Sequence, residues 1–180
     1  MAQIARVSTD SAAVETFRFE AAGGIPNNSA LPAVCLRGVI SPVAGPGEIR
    51  GLMESNGWTG TWTWTVFDYH HYHPNAHEAL IVASGSASLV IGGTRGQGLE
   101  VEAGDALILP AGTGHCRGKA SSDFRVCGGY PRGQEAYETL RDGDPVTPEI
   151  RARISAVPLP VSDPVYGSEG PLFDAWGLSD

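Results

Sequence analysis

Cysteine is scarce in this chain: Cys35, Cys116 and Cys127 are three residues with no framework spacing. An odd count of this kind argues against a disulfide scaffold, so packing must hold the fold together. Positive charge is thin as well. Twelve Lys and Arg stand against twenty Asp and Glu, the formal net charge is -8, and no basic run is long enough to track a phosphate backbone. Nucleic acid is therefore not an expected partner. The acidity speaks mainly for solubility. It does not exclude an anionic guest, because a metal or an arginine can make a pocket locally positive. No segment approaches the ~20 apolar residues of a membrane span. The opening MAQIARVSTDSAAVETF holds no apolar stretch of signal-peptide length. A cytoplasmic protein without a membrane partner is the expectation.

What is abundant points to β structure. Hydrophobic residues make up 42% and charged residues 18%, with 24 glycines and 13 prolines among 180 residues. That is a globular composition with many turns. VETFRFE, from Val14 to Glu20, alternates apolar and polar residues and predicts a first strand. AVCL at 33–36 reads as a short buried strand. Residues 45–57 read as a helix, with Pro46 in the first turn, Ile49, Leu52 and Met53 on one face and Gly57 as the stop. From Trp58 onward WTGTWTWTVF, EALIVAS, SASLVIGG, GLEVEAG, DALILPAG and DFRVCGGYP are short strand-like runs broken by Gly or Pro. Such spacing predicts a sandwich or barrel. Past Tyr130, QEAYETLRDG suggests a helical turn, and Thr147-Pro148 suggests an N-cap followed by a helix carrying Ile150 and Ile154. The tail is too rich in Pro and Gly for regular structure, and its Leu172, Phe173 and Trp176 are expected to pack on the barrel or on a second subunit.

Four of the five histidines lie between residues 70 and 77. A strand period of two puts His71 and His73 on one side. Pro74 then turns the chain, and Glu78 opens the next apolar run facing back toward the two imidazoles. Two nitrogens and a carboxylate meeting at one point make a ligand set for a divalent metal. In Gly104-Asp105-Ala106-Leu107-Ile108-Leu109-Pro110-Ala111-Gly112-Thr113-Gly114-His115, a turn, a strand and a second turn lead to His115, the expected fourth ligand. His77 is the alternative to Glu78. His70 and Tyr72 have the opposite parity and are expected to pack on the other face.

Both segments resemble the motifs of the cupin superfamily. His71, His73, Glu78 and Gly85 match HXH(X)4E(X)6G, although Thr65 stands where the motif has a leading Gly. Gly104, Pro110, Gly112 and His115 match G(X)5PXG(X)2H, with Lys119 in place of the closing Asn. HYHPNAHE is similar to the germin-type motif. IPNNSALP, LPAGTGH, DFRVCGGYPRGQ and VPLPVSDPVYGSEGPL resemble the bacterial YjlB-type cupins from about Ile25 to Leu172. The resemblance implies an all-β fold, a double-stranded β-helix or jelly-roll barrel with short flanking helices. Residues 58–131 would be the barrel core with both motifs, residues 1–57 strands and a helix packed on it, and residues 132–180 a C-terminal extension. It also implies one divalent transition metal, Mn or Fe first, with Ni, Zn and Cu as further choices, and a homodimer.

The function so implied is a mononuclear metalloenzyme of dioxygenase, oxidase, decarboxylase or isomerase type acting on a small, anionic molecule. The alternative is a non-catalytic, metal-dependent binder of a small molecule or sugar. Arg117 and Lys119 share the parity of His115 and, with Tyr130, are the expected substrate-binding residues, a rim salt bridge being the other role for the two cations. Trp58, Trp62 and Trp64 are expected to fill core or interface rather than to form an aromatic wall.

Overall fold

The β-forming runs become strands, although the first ends at Phe17 rather than Glu20 and none of its residues is buried. The structure, a computed structural model, describes residues 4–178. In chain order it holds β1 (Ala13–Phe17), β2 (Ala33–Arg37), α1 (Pro46–Ser55), β3 (Trp58–Trp64), β4 (His71–Tyr72), β5 (Glu78–Ser84), β6 (Ser86–Ile91), β7 (Gln97–Glu102), β8 (Ala106–Leu109), β9 (His115–Ala120), β10 (Arg125–Pro131), β11 (Leu140–Arg141), α2 (Pro148–Ala156) and α3 (Pro171–Trp176). One sheet has the order β1-β2-β8-β5-β10-β3 and the other β11-β4-β9-β6-β7. Neighbouring strands are antiparallel in both, as in β5 with β8 and β6 with β9. This is the expected jelly-roll barrel. The segment before residue 58 gives β1 and β2 to the same sheet as β3, β5 and β10.

Continuous apolar runs mark strands buried on both faces. In β5, Leu80 and Val82 point inward to meet Leu89, Leu99, Leu107, Phe124 and Val126 between the sheets. Ala79, Ile81 and Ala83 point outward, where Ile49 and Met53 of α1 and Leu172 and Trp176 of α3 cover them. In β7, with its alternating pattern, only Leu99 and Val101 are buried, so one face meets solvent. Glu78 shares the inward parity of Leu80 and Val82, which aims a carboxylate into the barrel.

Start and stop signals placed α1 and α2 correctly. The Gly45 amide donates to Glu48 Oε2 at 2.8 Å at the start of α1, and Gly57 follows its end with φ of 80°. Thr147 Oγ1 accepts from the Ile150 amide at the start of α2. Two expectations fail. QEAYETLRDG forms no helical turn: residues 134–139 run without regular structure into β11. Their bonds go to the histidine loop instead. Asn75 Nδ2 donates to the Ala136 carbonyl at 3.0 Å, the Glu138 amide donates to Asn75 Oδ1 at 2.8 Å, and Gln134 Oε1 accepts from the His77 amide at 2.9 Å. Nor is the tail wholly irregular, because α3 begins at Pro171 and stops at the left-handed Gly177.

Leu172 and Trp176 lie one turn apart on α3 and are buried, while Phe173 is half-buried. Trp176 Nε1 also donates to the Pro32 carbonyl at 2.8 Å. Among the described residues, no helix is long and apolar enough to cross a membrane. Trp176→Ala is expected to lower the unfolding free energy by about 3–5 kcal/mol in urea titration. Val161→Ala, at a site 88% exposed, should stay within about 0.5 kcal/mol. Equal effects would show that α3 adds nothing to the core.

Candidate functional site

Strand pairing sets two of the histidines face to face. His71 of β4 lies directly opposite His115 of β9, with ring centroids 4.0 Å apart. His73 follows β4, and its carbonyl accepts from the Gly112 amide at 2.8 Å, which ties the first motif to the turn of the second. Gly112 holds φ of 86°, and a Cβ there would lie 2.8 Å from the Asn27 carbonyl oxygen, so the turn requires glycine. One ring nitrogen from each of His71, His73 and His115 lies within 4.8 Å of the other two. Glu78, first residue of β5, joins two of them: its Oε2 is 3.2 Å from His73 Nε2 and 3.1 Å from His115 Nε2. All four side chains are buried.

The far side of each ring is fixed. His71 Nδ1 faces the Tyr69 carbonyl at 3.0 Å, His115 Nδ1 the Thr113 carbonyl at 3.1 Å and His73 Nδ1 the Glu138 carbonyl at 2.7 Å. A carbonyl oxygen only accepts, so each Nδ1 carries the proton and donates it. That leaves the Nε2 atoms of His73 and His115 presenting lone pairs to a carboxylate that also presents lone pairs. Such a meeting is repulsive unless a proton or a cation lies between. Protonating every ring is opposed by burial, which drives the His71 pKa down to about 2, with the neighbouring His115 adding to the effect. His73 moves the other way. Burial opposes its charge, but the Glu78 carboxylate and the Glu138 carbonyl together hold its pKa above the ordinary value. Burial raises Glu78, but its two imidazole neighbours outweigh that and hold it well below the usual carboxylate range. A divalent cation accepts all four donors at once, so this donor set fits such an ion.

Glu78 has a second set of partners. Tyr130 Oη donates to Glu78 Oε1 at 3.0 Å, and Trp62 Nε1 donates to Tyr130 Oη at 2.9 Å. Trp62 reaches this position because Gly128 has no side chain: a Cβ there would stand 2.1 Å from the indole ring. Burial, reinforced by the Glu78 charge, raises the Tyr130 pKa strongly, so the phenol keeps its proton as donor.

These groups lie in a cavity of about 240 Å³ lined by Trp62, Trp64, Thr65, Val66, Phe67, His71, His73, Glu78, Leu80, His115, Tyr130 and Tyr137. Trp58 fills the core as expected, whereas Trp62 and Trp64 form wall. Thr65, at the position where the motif has glycine, is part of the same wall.

The sequence of residues 65–125 matches the family described as Cupin domain. The uncharacterized protein YjlB of Bacillus subtilis (strain 168) is 35% identical over 163 residues, 90% of this chain and 96% of that one. The chain is a YjlB-type cupin. Among solved structures it is similar to acireductone dioxygenase from Bacillus anthracis with cadmium ion in its active centre (19% identity, TM-score 0.35, 49% of this chain and 60% of that one). It is also similar to a double-stranded β-helix protein from Klebsiella pneumoniae (14% identity, TM-score 0.37, 76% and 84%).

In this cupin His77 stands apart from the cluster. Its Nδ1 accepts from the Ala111 amide at 2.9 Å, and its ring packs 4.9 Å from Trp176. Burial lowers its pKa to about 4, against the pull of the Pro158 carbonyl. Tyr72 points away from the cavity into a cluster with Ile25, Ala111 and Ile154. Arg117 and Lys119 do not line the cavity. Arg117 Nε donates to the Val66 carbonyl at 3.0 Å. Lys119 is exposed because β9 gains a residue there: Leu89 faces Arg117, but Ala87 faces Ala120. That bulge ends the parity with His115. Tyr130 does line the cavity. Missed by sequence reasoning were Phe67, Tyr137 and the Glu138 carbonyl, which no motif marks.

In Tyr130→Phe, Glu78 Oε1 loses its donor inside the barrel. Metal-free protein carrying this change is expected to unfold with about 1–3 kcal/mol less free energy in urea. An unchanged midpoint would mean that the phenol does not hold the carboxylate.

Proposed function

We propose that His71, His73, Glu78 and His115 hold one divalent transition metal ion, and that this cupin uses it to bind and transform a small molecule in the cavity. What supports this is the meeting of imidazole lone pairs with a buried carboxylate, all four side chains fixed from behind by backbone carbonyls or by Tyr130. Three nitrogens and one oxygen suit manganese or iron, and also nickel, zinc or copper. When bound, such an ion supplies Lewis-acid polarisation of a coordinated oxygen and, as iron or manganese, a route to O2 chemistry of the oxidase or dioxygenase kind.

The chain's own residues orient and enclose. The Nδ1 bonds stop the rings from turning, and Tyr130 keeps Glu78 Oε1 occupied so that Oε2 faces the imidazoles. Trp62, Val66, Phe67 and Leu80 exclude water around the open side of the cluster. The cavity is smaller than the ~300–1,000 Å³ of drug-sized pockets, which fits a small guest. Binding without turnover is a second reading, favoured by one feature. Apart from the proposed ligands, the lining side chains that carry a transferable proton are Tyr130, Tyr137 and Thr65, and Tyr130 is committed to Glu78.

Elemental analysis of untagged protein purified without added metal tests the reading. One transition-metal ion per chain is expected, and His73→Ala should lose most of it while keeping the fold by circular dichroism. Folded wild-type protein that takes up no metal even when it is supplied would overturn the proposal.

A further inference from the structure

The cavity wall is aromatic on more than one side of the imidazole cluster. Phe67 packs edge-on against His71 at 5.0 Å and against Trp64 at 5.2 Å. Tyr137 packs edge-on against His73 at 5.0 Å and stacks on Tyr130 at 4.3 Å. Trp64 is 51% exposed and Tyr137 39% exposed, so these two rings form the rim. Flat apolar surface of this kind binds a flat apolar body, and large aromatic side chains half open to solvent gain most when something covers them.

Charge at the inner end is as restrictive as shape at the rim. The lining residues include one carboxylate, Glu78, and no Lys or Arg. The two cations nearest in sequence, Arg117 and Lys119, are outside it. With the metal site of the preceding reading filled, a divalent ion and one carboxylate leave a single positive charge among neutral imidazoles. A buried unpaired charge is costly, and one anionic oxygen from the guest removes it. A dianion would leave an excess negative charge with no side chain to meet it, and a cationic head would face the metal.

We propose that this cupin binds a small planar aromatic or conjugated monoanion, oxygen end inward at the cluster and ring between Trp64, Phe67 and Tyr137. The inference rests on the metal reading above, and it assigns Trp64 and Tyr137 as the residues that set the choice of guest.

Benzoate is the probe, with acetate, phthalate and benzyltrimethylammonium as comparisons, each titrated by calorimetry and by tryptophan fluorescence into metal-loaded protein of measured metal content. Benzoate is expected to bind at least about tenfold more tightly than acetate, a difference of about 1.4 kcal/mol. Phthalate and the ammonium should bind more weakly than benzoate. Trp64→Ala and Tyr137→Ala, both at exposed rim positions, should lose that tenfold preference and keep full metal content. Equal affinity for benzoate and acetate in metal-loaded protein would overturn this proposal and leave the metal reading standing, as would a preference for the ammonium. Failure of the folded protein to take up metal would overturn both.

Discussion

A carboxylate removed from water, with imidazole nitrogens 3.1 and 3.2 Å away, is the constraint on which the rest of this structure turns. Burying an unpaired ion costs several kcal/mol even after relaxation, roughly the scale of a domain's net stability. Glu78 is nevertheless 3% exposed. Its environment answers that cost in two directions. Tyr130, itself held by Trp62, gives Oε1 a hydrogen bond. Oε2 is left to the imidazoles, whose own protons are turned outward to carbonyl oxygens. A proton shared with His73 relieves part of the repulsion, and a divalent cation at that point meets all four donors at once. For this reason the second-layer bonds, rather than the count of histidines, carry the metal reading.

The barrel makes such a site possible because its two sheets contribute different parts. His71 and His115 face each other across β4 and β9 in one sheet, while Glu78 and Tyr130 come from β5 and β10 of the other. Packing between the sheets then fixes the distance between the two halves, with Leu80 as the shared layer beneath. Residues 134–139 complete the arrangement from outside. They supply the Glu138 carbonyl to His73 and the Tyr137 ring to the rim, and are held by Asn75 and by the His77 amide, which donates to Gln134. The order of that segment and the orientation of His73 therefore belong together.

Much of this was legible in the sequence, for identifiable reasons. Strand parity is a local rule, so the inward aim of His71, His73 and Glu78 followed from period two and a proline. The strands followed from apolar runs bounded by glycine, and α1 and α2 from their caps. What failed depended on long-range partners. The bulge in β9 that turns Lys119 outward arises from pairing with β6 and leaves no mark in HCRGKA. Residues 134–139 have helical composition, but their hydrogen-bonding groups go to a loop some 60 positions earlier. Trp58, Trp62 and Trp64 look alike in sequence, but β3 carries an extra residue against β10, between the pairs Trp62–Gly128 and Thr59–Tyr130, and that shift leaves Trp58 in the core and Trp62 and Trp64 in the wall. The proposed anionic guest rests on the charge that one carboxylate and one divalent ion would leave, because Arg117 and Lys119 lie outside the cavity.

X-ray absorption at the metal edge of the loaded protein tests the central claim most directly, because it reads ligand type and number without a substrate. Expected is a first shell of nitrogen and oxygen with multiple scattering from three imidazoles, falling to two in His115→Ala. A spectrum with no imidazole scattering, or one unchanged by that substitution, would contradict it.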